Sequence, residues 1–190
     1  MIGLSEILHG LYGAYRLCRF DMQGLGYFNA TPEGFWRSFF SAVLVAPAYF
    51  LIVFLDLDLN SVEASLGRIL LLESLAYVIL VFLYPLIMHY ICQALDRQPQ
   101  YIMYIVAYNW AGVLLNALEL PAKAFVASGL SPDAAQVLDL AVLILTIGIL
   151  WFIARTALQI TRLTAAALVA LDLLLTIAVN SIVAGRLGIA

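Results

Sequence analysis

This sequence has few charged residues. They make up 11% of its 190 residues, against 65% hydrophobic, and the formal net charge is only −3. A soluble domain carries about 25% charged and 45–50% apolar residues. A chain of this size could not hide so large an apolar excess from water, so its solvent is expected to be lipid. Basic runs and stacking platforms are missing too, which removes nucleic acid from the expected partners. The two cysteines, Cys18 and Cys92, lie far apart in the chain. Both fall on the side assigned below to the cytoplasm, so no disulfide is expected. The first thirty residues lack a basic start, a continuous apolar core and a small-residue cleavage site, so insertion is expected to use the spans themselves. No nucleophile–base pairing, phosphate loop or dinucleotide fingerprint occurs. An enzyme is the minority reading, and no cofactor or metal is expected.

What is present is a series of long apolar runs, with room for about five or six spans. The pattern predicts an all-α, polytopic helix bundle of five transmembrane helices, at about residues 39–57, 69–94, 101–121, 134–156 and 163–184. Before it, residues 1–30 form an amphipathic interfacial helix and a turn, and 31–190 form the bundle. Residues 4–20 place Leu4, Ile7, Leu8, Leu11, Tyr15 and Cys18 on one helical face, with Glu6, His9, Gly13 and Arg16 opposite. That segment is too polar to span and reads as a helix on the headgroups, or docked on the bundle ends. Thr31-Pro32-Glu33 and Ser131-Pro132-Asp133 are helix starts, each with a hydroxyl cap, a first-turn proline and an acid near the positive end of the dipole. Pro47 and Pro85 lie inside the first two spans as expected kinks, and Pro121 is expected to end the third. Asp96-Arg97-Gln98-Pro99 is a short link that folds spans two and three into an antiparallel hairpin. The loop 58–68 reads as polar.

Positive charge sets the expected topology. With the N-terminus inside, the cytoplasmic segments carry Arg16, Arg19, Arg37, Arg97, Arg155 and Arg162, and the outside carries Arg68, Lys123 and Arg186. Six against three predicts an N-in, C-out protein of the bacterial inner membrane.

The third span, YIMYIVAYNWAGVLLNALELP, is the unusual one. At about 100° per residue, Asn109, Asn116 and Glu119 fall with Tyr101, Ile105 and Gly112 inside roughly a quarter of the helix circumference. Such a stripe belongs inside a bundle and not against lipid. Asp172 lies near the middle of the fifth span, where a carboxylate costs about 2.5–3.5 kcal/mol on the insertion scale. It is either a proton or cation site, or a hydrogen-bonded acid joining helices. The expected intramembrane cluster is Asn109, Asn116, Glu119 and Asp172, with the third span facing the fifth and Asp172 opposite Asn109–Asn116. Glu73 and Asp139 are expected at an outer rim, or snorkelling to water. Arg97, Arg155 and Arg162 form a cytoplasmic collar that either holds anionic lipid headgroups or simply fixes topology. His89 and Cys92 share a helix face, with His9 and Cys18 on the same membrane side, but this spacing is a poor metal signature.

YIVAYNW at Tyr104–Trp110, WFIARTALQI at Trp151–Ile160 and the aliphatic fifth span resemble the Yip family, with its cytoplasmic N-terminal segment and five closely spaced spans. Those stretches and FNATPEGFWRSF at Phe28–Phe39 are similar to small uncharacterised membrane proteins of alphaproteobacteria with a Yip-like layout. The resemblance covers about residues 30–185. It implies an architecture, with no catalytic residues to carry over.

The leading functional reading is a non-enzymatic scaffold or organising component of the membrane, working through self-association or a membrane-protein partner. The second is a small transporter or channel subunit in which Asp172 is the coupling acid and Asn109, Asn116 and Glu119 line the route. A redox or metal subunit using His89 and Cys92 comes third.

Overall fold

Among the described residues, seven α-helices follow one another from α1 to α7. They are α1 (Leu4–Cys18), α2 (Pro32–Ser38), α3 (Phe40–Asp56), α4 (Leu66–Ala94), α5 (Gln98–Ala127), α6 (Pro132–Leu158) and α7 (Arg162–Leu187), with a short 3₁₀ helix, Met22–Tyr27, after α1. The computed structural model describes residues 3–56 and 64–188. Among them there is no strand. Five helical stretches are long and apolar enough to cross a bilayer: Pro32–Asp56, Leu66–Ala94, Gln98–Ala127, Pro132–Leu158 and Arg162–Leu187. This supports a multi-pass membrane protein. Leu57 and most of the predicted 58–68 loop lie outside the described residues.

The helix starts follow the local chemistry. The hydroxyls of Thr31, Ser65, Ser131 and Thr161 each accept a first-turn backbone N–H, from Gly34, Arg68, Ala134 and Thr164 respectively. Such caps answer donors that no helical carbonyl can reach. Pro47 and Pro85 sit inside α3 and α4.

The predicted end at Pro121 is corrected, because α5 continues through it to Ala127. Proline removes one backbone donor, yet intramembrane helices tolerate it when neighbouring helices hold the next turn. Here Ala122 is buried, and the Lys123 ammonium reaches Asp56 of α3 at 3.3 Å and Asp139 of α6 at 3.4 Å.

α5 is the axis of the bundle. It packs against α1, α2, α3, α4 and α6, while α7 lies against α6 and α4. α3 runs parallel to α5: Ser38, just before α3, meets Asn109, and Asp56 at its far end meets Lys123. The most buried part of α5 is Tyr104–Ala107 with Trp110 and Ala111. There is a local reason for that depth. α1 lays its small-residue side, Gly10, Gly13, Ala14 and Leu17, into the molecule, with Gly10 directly over the Trp110 indole. Its other side leaves Leu4, Leu8, Tyr12 and Tyr15 exposed.

The turn after α1 is held by one carboxylate. Asp21 accepts from Gln23 N at 3.0 Å and from Arg16 Nε at 2.7 Å. The Gln23 N–H first, and the Arg16 guanidinium second, hold the Asp21 carboxyl below its ordinary value, while Asp21 raises Arg16. An acid whose folded value is depressed stabilises the fold above its unfolded value, and that contribution is lost as pH falls through the folded value. The α1 turn is therefore expected to loosen below about pH 4. Tryptic cleavage after Arg16 and Arg19, followed against pH after brief acid exposure, reads this directly. Asp21→Asn should remove the pH dependence.

Candidate functional site

The stripe on α5 opens on a cavity. A space of about 270 Å³ lies among α3, α4, α5 and α6, and Asn109, Gly112, Asn116 and Glu119 all line it. Helical periodicity brings these four to one face. The cavity exists because α3 and α4 do not close over them. Those two helices are bridged by side chains: Phe39 stacks on Phe82 with ring centroids 5.2 Å apart, the Tyr77 hydroxyl donates to Ala42 O at 2.5 Å, and the Tyr49 hydroxyl donates to Glu73 at 3.0 Å. The α3–α4 wall is mostly apolar, with Val45, Leu80 and Val81, whereas the α5–α6 wall supplies the amides, Glu119 and Thr146.

The orientations of the two asparagines follow from hydrogen-bond balance. The Ser38 hydroxyl donates to Phe35 O at 2.7 Å, so its oxygen accepts from Asn109 Nδ2 at 2.8 Å. Asn116 Nδ2 donates to Gly112 O at 3.0 Å, and a backbone carbonyl can only accept. In both residues one of the two amide N–H groups is thus committed to the protein. Each Oδ1 is left with no donor among the described residues. Glu119 likewise has no hydrogen-bond or ion-pair partner among them.

Asp172 is placed differently from the expectation. It does not meet Asn109 or Asn116. Its carboxylate accepts the Tyr108 hydroxyl, at 3.0 Å to Oδ1 and 3.1 Å to Oδ2. Tyr108 is one residue before Asn109, about 100° away on the helix, so Asp172 reaches α5 beside the asparagine stripe and not on it. Tyr108 lines the cavity as well and therefore stands between it and Asp172. Its ring packs on Tyr84, centroids 4.8 Å apart, and the Tyr84 hydroxyl pairs with that of Tyr104 at 2.5 Å.

The expected outer-rim residues separate into two places. Glu73 accepts the hydroxyl of Tyr49, and of the two only Tyr49 lines the cavity. Asp139 joins Asp56 around Lys123, the single lysine of the chain, which is one helical turn beyond Glu119. Arg97, Arg155 and Arg162 are not drawn together by any hydrogen bond or ion pair among the described residues. Arg97 donates to Asp96 O, Arg155 lies over the Trp151 ring with its Cζ 5.5 Å from the centroid, and Arg162 O accepts the Trp151 indole N–H. His89 is bonded to Gln93, and Cys92 is buried. No group of three potential metal ligands occurs among the described residues.

No family model, curated protein or solved structure matches the chain. The site is therefore read from its own geometry.

Sequence reasoning missed Tyr108, Tyr49, Tyr77, Ser38 and Lys123. The available signal was the tyrosine spacing: Tyr101, Tyr104 and Tyr108 recur at helical intervals through a span, and a buried phenol needs a partner.

Proposed function

We propose that the chain is a non-enzymatic, multi-pass protein of the bacterial inner membrane that works as a small transporter or channel subunit, with N-terminus inside and C-terminus outside. The observation that carries this reading is the cavity, in which three intramembrane polar residues of α5 line one space. A bundle held together by polar contacts alone would bury those groups against one another. Asp172, linked to the cavity through Tyr108, is the proton or cation site of this reading. Intramembrane acids of this kind mark ion and proton pathways. Purified protein in liposomes loaded with a pH-sensitive dye tests it. A potential-driven pH change above that of protein-free vesicles supports the reading, and flux equal to the protein-free background sinks it.

An assembly role is the second reading. The observation that favours it is the exposed stripe Leu4, Leu8, Tyr12 and Tyr15 on α1, with Trp36 also exposed. We place this stripe at the cytoplasmic headgroups, where apolar and aromatic side chains sit beside Arg19. There it is available to lipid, to a second copy or to a membrane-protein partner. Arg97, Arg155 and Arg162 would meet anionic headgroups at the same level. Native electrophoresis in mild detergent separates the two readings. A discrete oligomer lost on Leu8→Glu supports assembly, and a monomer unaffected by that change removes it. The Yip-like layout remains a proposal about architecture.

A further inference from the structure

The cavity leans toward accepting: each wall asparagine spends one of its two amide N–H groups on the protein, and its Oδ1 has no donor among the described residues. The amide groups of Asn109 and Asn116 donate to Ser38 Oγ and Gly112 O. All three tyrosine hydroxyls on the wall donate to protein groups, Tyr49 to Glu73, Tyr77 to Ala42 O and Tyr108 to Asp172. What remains on the lining residues is two amide oxygens and the Glu119 carboxylate as acceptors, one N–H on each amide, and aromatic faces. Ser41 and Thr146 are the two hydroxyl side chains on the wall without a donated bond among the described residues, and a hydroxyl can turn to accept.

A ligand that satisfies acceptors must bring N–H donors, and beside the Glu119 carboxylate, whose neighbour Lys123 is already shared by Asp56 and Asp139, positive charge is favoured. Aromatic rings add attraction for a cation. The opposite wall is apolar. We propose that this cavity binds a primary organic ammonium, with the NH3⁺ group held by Asn109 Oδ1, Asn116 Oδ1 and Glu119 and an apolar body against the α3–α4 wall. The volume of about 270 Å³ fits a small monoamine. It is larger than the cavity of about 150 Å³ that takes benzene and smaller than most drug-sized pockets, which run from about 300 Å³ upward. An anion would meet Glu119 with no counter-charge on the wall, and a quaternary ammonium would leave both amide oxygens without donors.

This assignment deepens the transporter reading and rests on the same cavity, but it concerns occupancy, not flux. The probe is phenethylammonium at pH 7.5, with phenethyl alcohol, 3-phenylpropionate and the trimethylated amine as comparators. Binding is measured by equilibrium dialysis on the full chain in nanodiscs, against empty nanodiscs. Saturable binding of the primary amine, weaker by at least about tenfold for each comparator, is expected. Glu119→Gln should weaken it by a similar factor. Gly112→Leu is the decisive variant. A Cβ at Gly112 meets nothing within 4 Å and Gly112 lines the cavity, so a larger side chain there is expected to project into the space. The change also improves helix propensity. The plugged protein should keep its thermal unfolding temperature and lose saturable binding. Equal binding of the alcohol or the acid, or amine binding unchanged by Gly112→Leu, overturns the proposal. So does the absence of saturable amine binding to wild-type protein. Amine binding with no ion flux keeps the site and removes the transporter reading. Flux without amine binding does the reverse.

Discussion

Gly10→Leu is expected to lift α1 off the bundle. A Cβ built at Gly10 sits 2.5 Å from Cδ2 and 2.9 Å from Nε1 of Trp110, closer than real Cβ atoms approach. The indole has little room to yield, since Trp110 is 3% exposed and packed in the main core. Adding a branched side chain to a filled space costs about 1–3 kcal/mol when the surroundings adjust. Here the easiest adjustment is movement of α1, which packs on α5 with Gly10 against Trp110. Three readouts should change together. Trypsin should cut faster after Arg16 and Arg19. Trp110 emission should shift to the red, read with Trp36 and Trp151 replaced by Phe. The unfolding temperature should fall. Gly26→Ala is the control, because a Cβ at Gly26 meets nothing within 4 Å. If Gly10→Leu matches that control, α1 is not held by the glycine–tryptophan contact.

Asp172→Asn is expected to reduce any proton-coupled flux to the vesicle background while leaving the fold intact. The amide matches the carboxylate in shape and can still accept the Tyr108 hydroxyl through Oδ1. It cannot release a proton, and that is the property the change removes. Asp172→Leu separates function from structure through magnitudes. On the insertion scale it removes a penalty of about 2.5–3.5 kcal/mol and adds a gain of about 0.3–0.6 kcal/mol. Against this, the Tyr108 hydroxyl loses its acceptor, at a cost of about 1–3 kcal/mol. The insertion gain is the larger, so the leucine variant should be at least as stable as the parent and inactive. A leucine variant that fails to assemble would show that Asp172 holds α7 to α5. Unchanged flux in the asparagine variant would end the coupling role altogether. Tyr108→Phe should give a flux between that of the parent and the vesicle background, since it breaks the link to the cavity and keeps the acid.

The sequence by itself determined the class of solvent, the number of apolar helices and several of their starts. Those properties are local or additive. Hydropathy sums along a helix, and Thr31, Ser131 and their following prolines act within one turn. It also determined that Asn109, Asn116 and Glu119 share a side of α5, because helical periodicity fixes relative angle. Only the tertiary structure decided what that side faces. Periodicity carries no information about which neighbour lies opposite, so Asp172 was paired with the asparagines when it meets Tyr108, one residue and about 100° away. The end of α5 escaped for the same reason. Pro121 is a local stop signal, and the turn beyond it is kept by Lys123 reaching Asp56 and Asp139, residues 67 and 16 positions distant in the chain. The side of α1 that docks is decided by Gly10 meeting Trp110, a fit between surfaces that no pattern of apolar residues encodes. The cavity too is a property of the assembly: α3 and α4 are held apart by Phe39, Tyr49 and Tyr77, and the space behind them exists only once all four helices are in place.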